Sequence, residues 1–125
     1  MAQRCEDMVV WQRAIDLTEC VYKITRCLPK DEQYGLVSQM RRASVSVVSN
    51  IAEGCGRLTS GEFRHFLGLS LGSLFELKTQ FVVAARLGFV DDKALSDARS
   101  LAEEVSKMLT AIIRALSSHT KKADS

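Results

Sequence analysis

The stretch IAEGCGRLTSGE (residues 51–62) ends one helix and begins the next, and it decides the fold. Gly54-Cys55-Gly56 provides a helix stop, because glycine adopts the left-handed turn at a helix end without steric cost. Thr59 and Glu62 are spaced as a capping box, in which the threonine hydroxyl accepts from the amide three residues on. The stretch therefore predicts a tight helix–helix junction near the middle of the chain.

Apolar residues recur with a helical period of 3.6 on both sides of this junction. The predicted helices cover about residues 8–27, 32–53, 60–86 and 92–117, and we expect the polar tail at 118–125 to fray. Pro29 ends the first helix, Leu87-Gly88-Phe89 closes the third, and Asp91 or Asp92 caps the fourth. No segment shows the alternation of a strand. Short connections between such helices are typical of an all-α, antiparallel up-down four-helix bundle.

Length and composition are those of one globular domain over residues 1–125. The formal net charge of +2 neither requires nor excludes a polyanionic partner. The charge-free apolar stretch at 66–75 is half the length of about 20 residues that a membrane span needs. Arg4, Glu6 and Asp7 precede any apolar run at the N-terminus, and the two acidic residues are unlike the positively charged start of a secretory signal. We therefore expect a soluble, cytoplasmic protein without a membrane partner.

The four cysteines are Cys5, Cys20, Cys27 and Cys55, and no C-x-x-C motif occurs. With only two histidines, this pattern does not predict a metal site. Without an export signal we expect four reduced thiols, the alternative being a structural disulfide. No cofactor is predicted.

The third predicted helix carries more apolar surface than one core requires. Beside its core stripe it has a second strip of Leu71, Phe75 and Val82, flanked by Gly68, Gly72 and Thr79. Helices that are apolar nearly all round are buried on more than one side, and glycines allow another backbone to approach. The strip predicts a subunit interface in a homo-oligomer, the alternative being scattered surface apolar residues.

Three motifs resemble chemical sites without meeting their requirements. Gly68-x-Ser70-x-Gly72 matches the nucleophile elbow, but it lies within a predicted helix rather than at a strand-to-helix turn. Glu62-x-x-His65 is half of a di-iron motif, and no second copy exists. The turn before Arg57 lacks the spacing of a phosphate-binding loop, and an inert Cys55 is favoured over a reactive one. The sequence predicts no catalytic residue and no metal ligand.

The segment from Tyr34 to Phe66 is rich in arginine, and no acidic residue occurs from Gln33 to Ala52. A polar stripe on the second helix combines arginine with side chains that offer adaptable donors: Gln39, Arg42, Ser46, Asn50 and Glu53. One interpretation is a nucleic-acid surface formed by Arg41, Arg42, Asn50, Arg57 and Arg64, with Lys23 and Lys78 as weaker contacts. The other is a solvated face or an intersubunit network in which Glu53 satisfies Arg42.

A series of short motifs runs in order from Val9 to about Leu116: Val10-Trp11-Gln12, Leu28-Pro29, Glu32-Gln33-Tyr34-Gly35-Leu36, Arg41-Arg42-Ala43, Asn50-Ile51-Ala52-Glu53-Gly54, Gly56-Arg57, Glu62-Phe63 and Leu87-Gly88-Phe89. As a set they are specific. With them the chain resembles the four-helix bundle proteins encoded in bacterial 23S ribosomal RNA intervening sequences. It is also similar to accessory proteins of diversity-generating retroelements.

The resemblance implies a ring-like homopentamer with a basic surface for RNA or DNA, and no enzymatic activity. Arg41, Arg42, Asn50, Glu53 and Arg57 match the characteristic polar set of that family. Two functions remain open. In the first, a non-enzymatic oligomer binds structured RNA or DNA. In the second, a protein-interaction scaffold uses Glu53 and its neighbours for assembly and binds a protein partner.

Overall fold

A computed structural model describes residues 4–124 of the chain, with side chains described for residues 4–118. Helix α1 spans Val9–Thr25, α2 spans Leu36–Cys55, α3 spans Ser60–Arg86 and α4 spans Asp92–Asp124. Short 3-10 turns occupy Cys5–Asp7 and Lys30–Glu32, and no strand occurs in the described part of the chain. The predicted all-helical class with four helices is confirmed.

The helices pack in a closed cycle, in which α1 contacts α2, α2 contacts α3, α3 contacts α4, and α4 returns to α1. The diagonal pairs, α1 with α3 and α2 with α4, do not approach each other closely within residues 4–124. One apolar stripe from each helix therefore points into a shared centre. The arrangement is a four-helix bundle.

The core contains the residues that the apolar periodicity predicts. Every predicted inward residue of the first helix is buried: Val10, Ala14, Leu17, Val21, Ile24 and Leu28. Phe81 of α3 is the largest fully buried side chain, and Leu95 and Leu109 of α4 are fully enclosed with it. Burial of a side chain of this size contributes about 1.5–3 kcal/mol, so these stripes supply much of the driving force for folding.

The second helix begins later than predicted, at Leu36 rather than near residue 32. Pro29 is extended, with φ of −59° and ψ of 147°, and the chain then forms the 3-10 turn at Lys30–Glu32. The Glu32 carboxylate accepts a hydrogen bond from the Leu36 amide at 3.3 Å. Glu32 therefore caps α2 from outside instead of forming its first turn, and α2 runs on to Cys55, two residues past the predicted end.

The other helix ends follow local rules. The Thr59 hydroxyl accepts from the Glu62 amide at 3.1 Å, and the Asp91 carboxylate accepts from the Ala94 amide at 2.7 Å. Gly88 has φ of +75°, and the Phe89 amide donates to the Ala84 carbonyl at 3.0 Å, which is a Schellman motif. α4 continues to Asp124, past the predicted end at 117, because no glycine or proline interrupts it. Ser125, the last residue of the predicted tail, lies outside the described residues.

Gly54 is required for a reason other than the predicted one. Neither Gly54 nor Gly56 has a positive φ. Gly54 instead lies buried inside α2 where α3 begins. A Cβ at this position would lie 2.8 Å from Phe63 Cδ1 and 3.2 Å from Phe66 Cβ. The glycine therefore allows the end of α2 to approach the start of α3.

We expect Gly54→Ala to lower the free energy of unfolding by about 1–3 kcal/mol, because the added methyl overpacks this contact. Gly61→Ala is the matched control, since a Cβ at Gly61 meets nothing within 4 Å. That control should leave stability unchanged or raise it by up to ~1 kcal/mol. Urea denaturation followed by circular dichroism measures both, and equal stabilities of the two variants would contradict the close approach.

Candidate nucleic-acid interface

The polar stripe of α2 lies along the seam with α3. Ser46 Oγ is 3.0 Å from Ser73 Oγ across that seam. The Asn50 side-chain amide donates to the Ser46 carbonyl at 2.9 Å and to Ser46 Oγ at 3.1 Å. Asn50, one of the predicted nucleic-acid contacts, thus has its donors directed at its own helix and takes part in the seam.

Arg41 is held in place by α1. Its Nε donates to Thr25 Oγ1 at 2.9 Å, and the same hydroxyl donates to the Val21 carbonyl at 2.8 Å. The guanidinium lies over the Tyr22 ring, 4.6 Å from the centroid. An arginine has five N–H donors, and the bond to Thr25 uses one of them. Arg41 is therefore preorganised and retains donors for a ligand.

Arg42, the next residue on α2, is exposed and has no hydrogen bond or ion pair within the described side chains. Glu53, which the sequence offered as its partner, instead pairs with Arg57 one turn further along. The Arg57 guanidinium lies over the Phe66 ring, 4.6 Å from the centroid. An intrachain pair between Glu53 and Arg42 is therefore not formed.

The predicted basic residues are not one patch. Arg57 follows the end of α2 at Cys55, and the thirteen residues of helix from Arg42 to Cys55 rise about 20 Å. Arg57 and Arg64 lie near the junction of α2 and α3, whereas Arg41 and Arg42 lie near the start of α2. Lys78 is held by Glu103 of α4 at 3.1 Å.

A shallow cleft of about 360 Å³ lies along α1. It is next to Arg41, because Arg41 lies over the Tyr22 ring that lines it. Lys23, Arg26 and Tyr22 contribute to its lining, together with Ile15, Thr18 and Glu19. We call Lys23, Arg26, Arg41 and Arg42 the basic end. Sequence reasoning missed Arg26 and Tyr22, although their spacing of four residues places them on one face of α1.

Helix α3 is long and apolar enough, by length and composition alone, to cross a membrane, with a mean hydropathy of 1.2 over its most apolar window. A core helix of a water-soluble protein passes the same test, and 33% of this window is buried in the bundle. Of the other apolar residues of α3, some are half-buried against the core and some are exposed.

These residues include the predicted interface strip. Phe75 is 52% exposed and Val82 is 47% exposed, while Leu71 is half-buried against the core. A Cβ at Gly68 or Gly72 would meet nothing within 4 Å. We call Gly68, Leu71, Gly72, Phe75 and Val82 the α3 strip. It is an apolar surface that a single chain leaves in contact with water.

The motifs that resemble chemical sites have structural roles. Ser70 is fully buried within α3, and its hydroxyl donates to the Val47 carbonyl of α2 at 2.7 Å. Glu62 and His65 are exposed, and the His65 ring meets the edge of Phe66. Among the residues searched, no three His, Cys, Asp or Glu side chains are grouped to hold a metal ion.

Comparison with known proteins identifies the family. Residues 6–111 match the model of the 23S rRNA-intervening sequence protein family. A crystal structure of a protein of unknown function from the S23 ribosomal protein family of Bacteroides thetaiotaomicron has the same fold, with a TM-score of 0.78. It is 18% identical and covers 84% of this chain and 98% of its own. No curated protein matches. The chain belongs to the 23S rRNA-intervening sequence protein family.

We expect Ser70→Ala to lower the free energy of unfolding by about 0.5–1.5 kcal/mol, because the variant loses the buried bond to Val47. Ser96→Ala, at an exposed position of α4, is the matched control for the higher helix propensity of alanine. Chemical denaturation measures both. A Ser70 variant as stable as the Ser96 variant would show that the bond contributes nothing.

Proposed function

We propose that this member of the family is a non-enzymatic, oligomeric helical bundle that binds structured RNA or DNA through phosphate contacts at the basic end. The observation that supports this most is the geometry of Arg41 and Arg42. Arg41 is positioned by Thr25 and Tyr22, and Arg42, the next residue, is exposed and has no hydrogen bond or ion pair with the side chains of residues 4–118. Consecutive arginines of one helix turn, each with unused donors, suit phosphate oxygens on neighbouring nucleotides, which accept paired N–H bonds.

Backbone contact is favoured over base recognition. Arg41 covers one face of the Tyr22 ring, and Tyr34, just before α2, is a single open aromatic ring at 91% exposure rather than a row of stacking platforms. Sequence-specific binding to single strands relies on open aromatic faces on which bases stack. The basic end therefore suits a folded RNA or a duplex that presents phosphates at a regular spacing.

Assembly strengthens a patch that is weak by itself. The net charge of +2 gives a single chain little long-range attraction for a polyanion. An oligomer repeats the basic end in every subunit, and simultaneous engagement raises overall affinity by ~10²–10⁴. The family resemblance favours a homopentamer in the cytoplasm, and the α3 strip supplies apolar surface for it.

The cross-helix contacts support an antiparallel up-down arrangement within each subunit. Between α1 and α2, Thr18 contacts Ser44 and Thr25 contacts Arg41, so numbers rise on one helix as they fall on the other. Such a bundle places the end of α1 beside the start of α2. That is how Lys23 and Arg26 come to lie near Arg41.

We expect Arg41→Ala/Arg42→Ala to weaken binding of a structured RNA by ~10-fold or more, since each charged hydrogen bond contributes ~1.5–3 kcal/mol. On a duplex, the slope of log affinity against log salt should become shallower by about 0.9 for each phosphate that the variant no longer neutralises. Fluorescence anisotropy from ~50 to 200 mM salt measures both quantities.

Arg99→Ala/Arg114→Ala is the matched control. It removes the same charge from α4, whose backbone does not approach α2 closely within residues 4–124. This control should retain most of the affinity and the salt slope of the parent. Unchanged binding by an intact Arg41/Arg42 variant would exclude the basic end, and equal losses in both variants would show a non-specific effect of net charge.

A protein-interaction scaffold is the second candidate, and the exposed α3 strip is the observation that favours it. Apolar surface of this kind is typical of protein contacts. In this alternative the strip serves assembly and a protein partner. The Glu53–Arg57 pair then stabilises the junction of α2 and α3 without binding nucleic acid.

We expect Phe75→Glu to dissociate the oligomer, because a carboxylate buried in an apolar interface is left unpaired. Leu58→Glu is the matched control, since Leu58 is 98% exposed at the junction of α2 and α3. Light scattering after size exclusion should give a single-chain mass of 13.9 kDa for the Phe75 variant. A Phe75 variant that stays assembled would remove the α3 strip from the interface.

A further inference from the structure

Three sulfur atoms meet where the N-terminal 3-10 turn packs against the end of α2. The Met8 amide donates to the Cys5 carbonyl at 3.0 Å, which fixes the turn. The Met8 Sδ lies 3.6 Å from Cys55 Sγ, at the last residue of α2. Cys5, Met8 and Cys55 are all partly buried against the core. The turn and the end of α2 are therefore held together by side chains that include two thiols.

The 3-10 turn that carries Cys5 packs against α2, which ends at Cys55, and the two thiols are close enough to interact. Burial, with the interaction with Cys55 as the next cause, raises the pKa of Cys5 from 9.0 to about 12. At neutral pH Cys5 is therefore a protonated thiol. Cys5 therefore acts second, as the thiol that resolves a mixed disulfide on Cys55.

The other two cysteines are not placed to form a bond with each other. Cys20 lies in α1, and Cys27 lies two residues past the end of that helix. The two cysteines are seven residues apart. Seven residues of helix rise about 10 Å, whereas the Cα atoms of a disulfide are at most about 7 Å apart. They serve as internal controls for the first pair.

We propose that Cys5 and Cys55 form a reversible disulfide that ties the N-terminal turn to the end of α2. The oxidant is a low-molecular-weight disulfide of the glutathione class. The Cys55 thiolate attacks one of its sulfurs, forming a mixed disulfide and releasing one small thiolate. Cys5 then loses its proton to solvent and attacks the Cys55 sulfur, releasing the second small thiol. Two protein thiols are oxidised, and one small disulfide is reduced to two thiols.

The position of this bond determines what it changes. It closes a loop of about 50 residues that contains α1 and α2, so it restricts the unfolded chain. It lies about 20 Å along α2 from Arg42, because thirteen residues separate Cys55 from the basic end. Oxidation should therefore raise the melting temperature without changing affinity at the basic end.

The full-length protein is incubated with oxidised glutathione, the remaining thiols are alkylated, and the digest is analysed without reduction by mass spectrometry. We expect a Cys5–Cys55 linkage with alkylated Cys20 and Cys27. The melting temperature should rise by about 5–15 °C and return to its starting value with a reductant. Closure of the mixed disulfide should be faster at pH 9 than at pH 7, because the raised pKa keeps Cys5 protonated.

Two variants keep the test decisive. Cys55→Ser should lose the linkage and the rise in melting temperature, whereas Cys20→Ser/Cys27→Ser should keep both. Alkylated Cys5 and Cys55 after incubation, a glutathione adduct that never resolves, or a linkage to Cys20 or Cys27 would each overturn the proposal. Because the test measures linkage and stability, its result is independent of whether the basic end binds nucleic acid.

Discussion

The pairing of α2 with α3 is the constraint on which the rest of the structure depends. At one end, Gly54 lets the two helices approach closely, since any side chain there would collide with Phe63. Further along the seam, Ser70 donates to the Val47 carbonyl and Ser46 meets Ser73. Hydrogen bonds between two helices form only when the helices are in one axial register. These contacts therefore specify how α3 lies on α2. The apolar stripes of α1 and α4 then close the bundle.

This register determines where the two candidate surfaces lie. Arg41 leans onto Tyr22 of α1, so this part of the basic end lies at the seam of α1 and α2, and Arg42 is exposed on the neighbouring face of α2. The α3 strip lies toward α4, beside Lys78, which reaches Glu103. Because α1 does not approach α3 and α2 does not approach α4 within residues 4–124, the two surfaces face different sides of the bundle. A second copy can cover the α3 strip while the basic end stays open to a polyanion.

Local sequence signals predicted the four helices, the Thr59 and Asp91 caps and the buried stripes, because these depend on neighbours within a few residues. Features that depend on partners from distant segments were missed or mistaken. Gly54 was interpreted as a left-handed stop, although its role is a contact with α3. The arginines were grouped by sequence proximity, whereas about 20 Å of helix lies between Arg42 and the end of α2, after which Arg57 follows. The proximity of Cys5 to Cys55 has no local signature at all.

The central claim is that phosphates bind at the basic end, and residue-level protection tests it most directly. The native protein is treated with an arginine-modifying dicarbonyl reagent in the presence and absence of a structured RNA, and modified peptides are quantified by mass spectrometry. The account predicts that RNA protects Arg26, Arg41 and Arg42 while Arg99 and Arg114 of α4 react at unchanged rates. Protection confined to α4, or uniform protection of all five arginines, would contradict it.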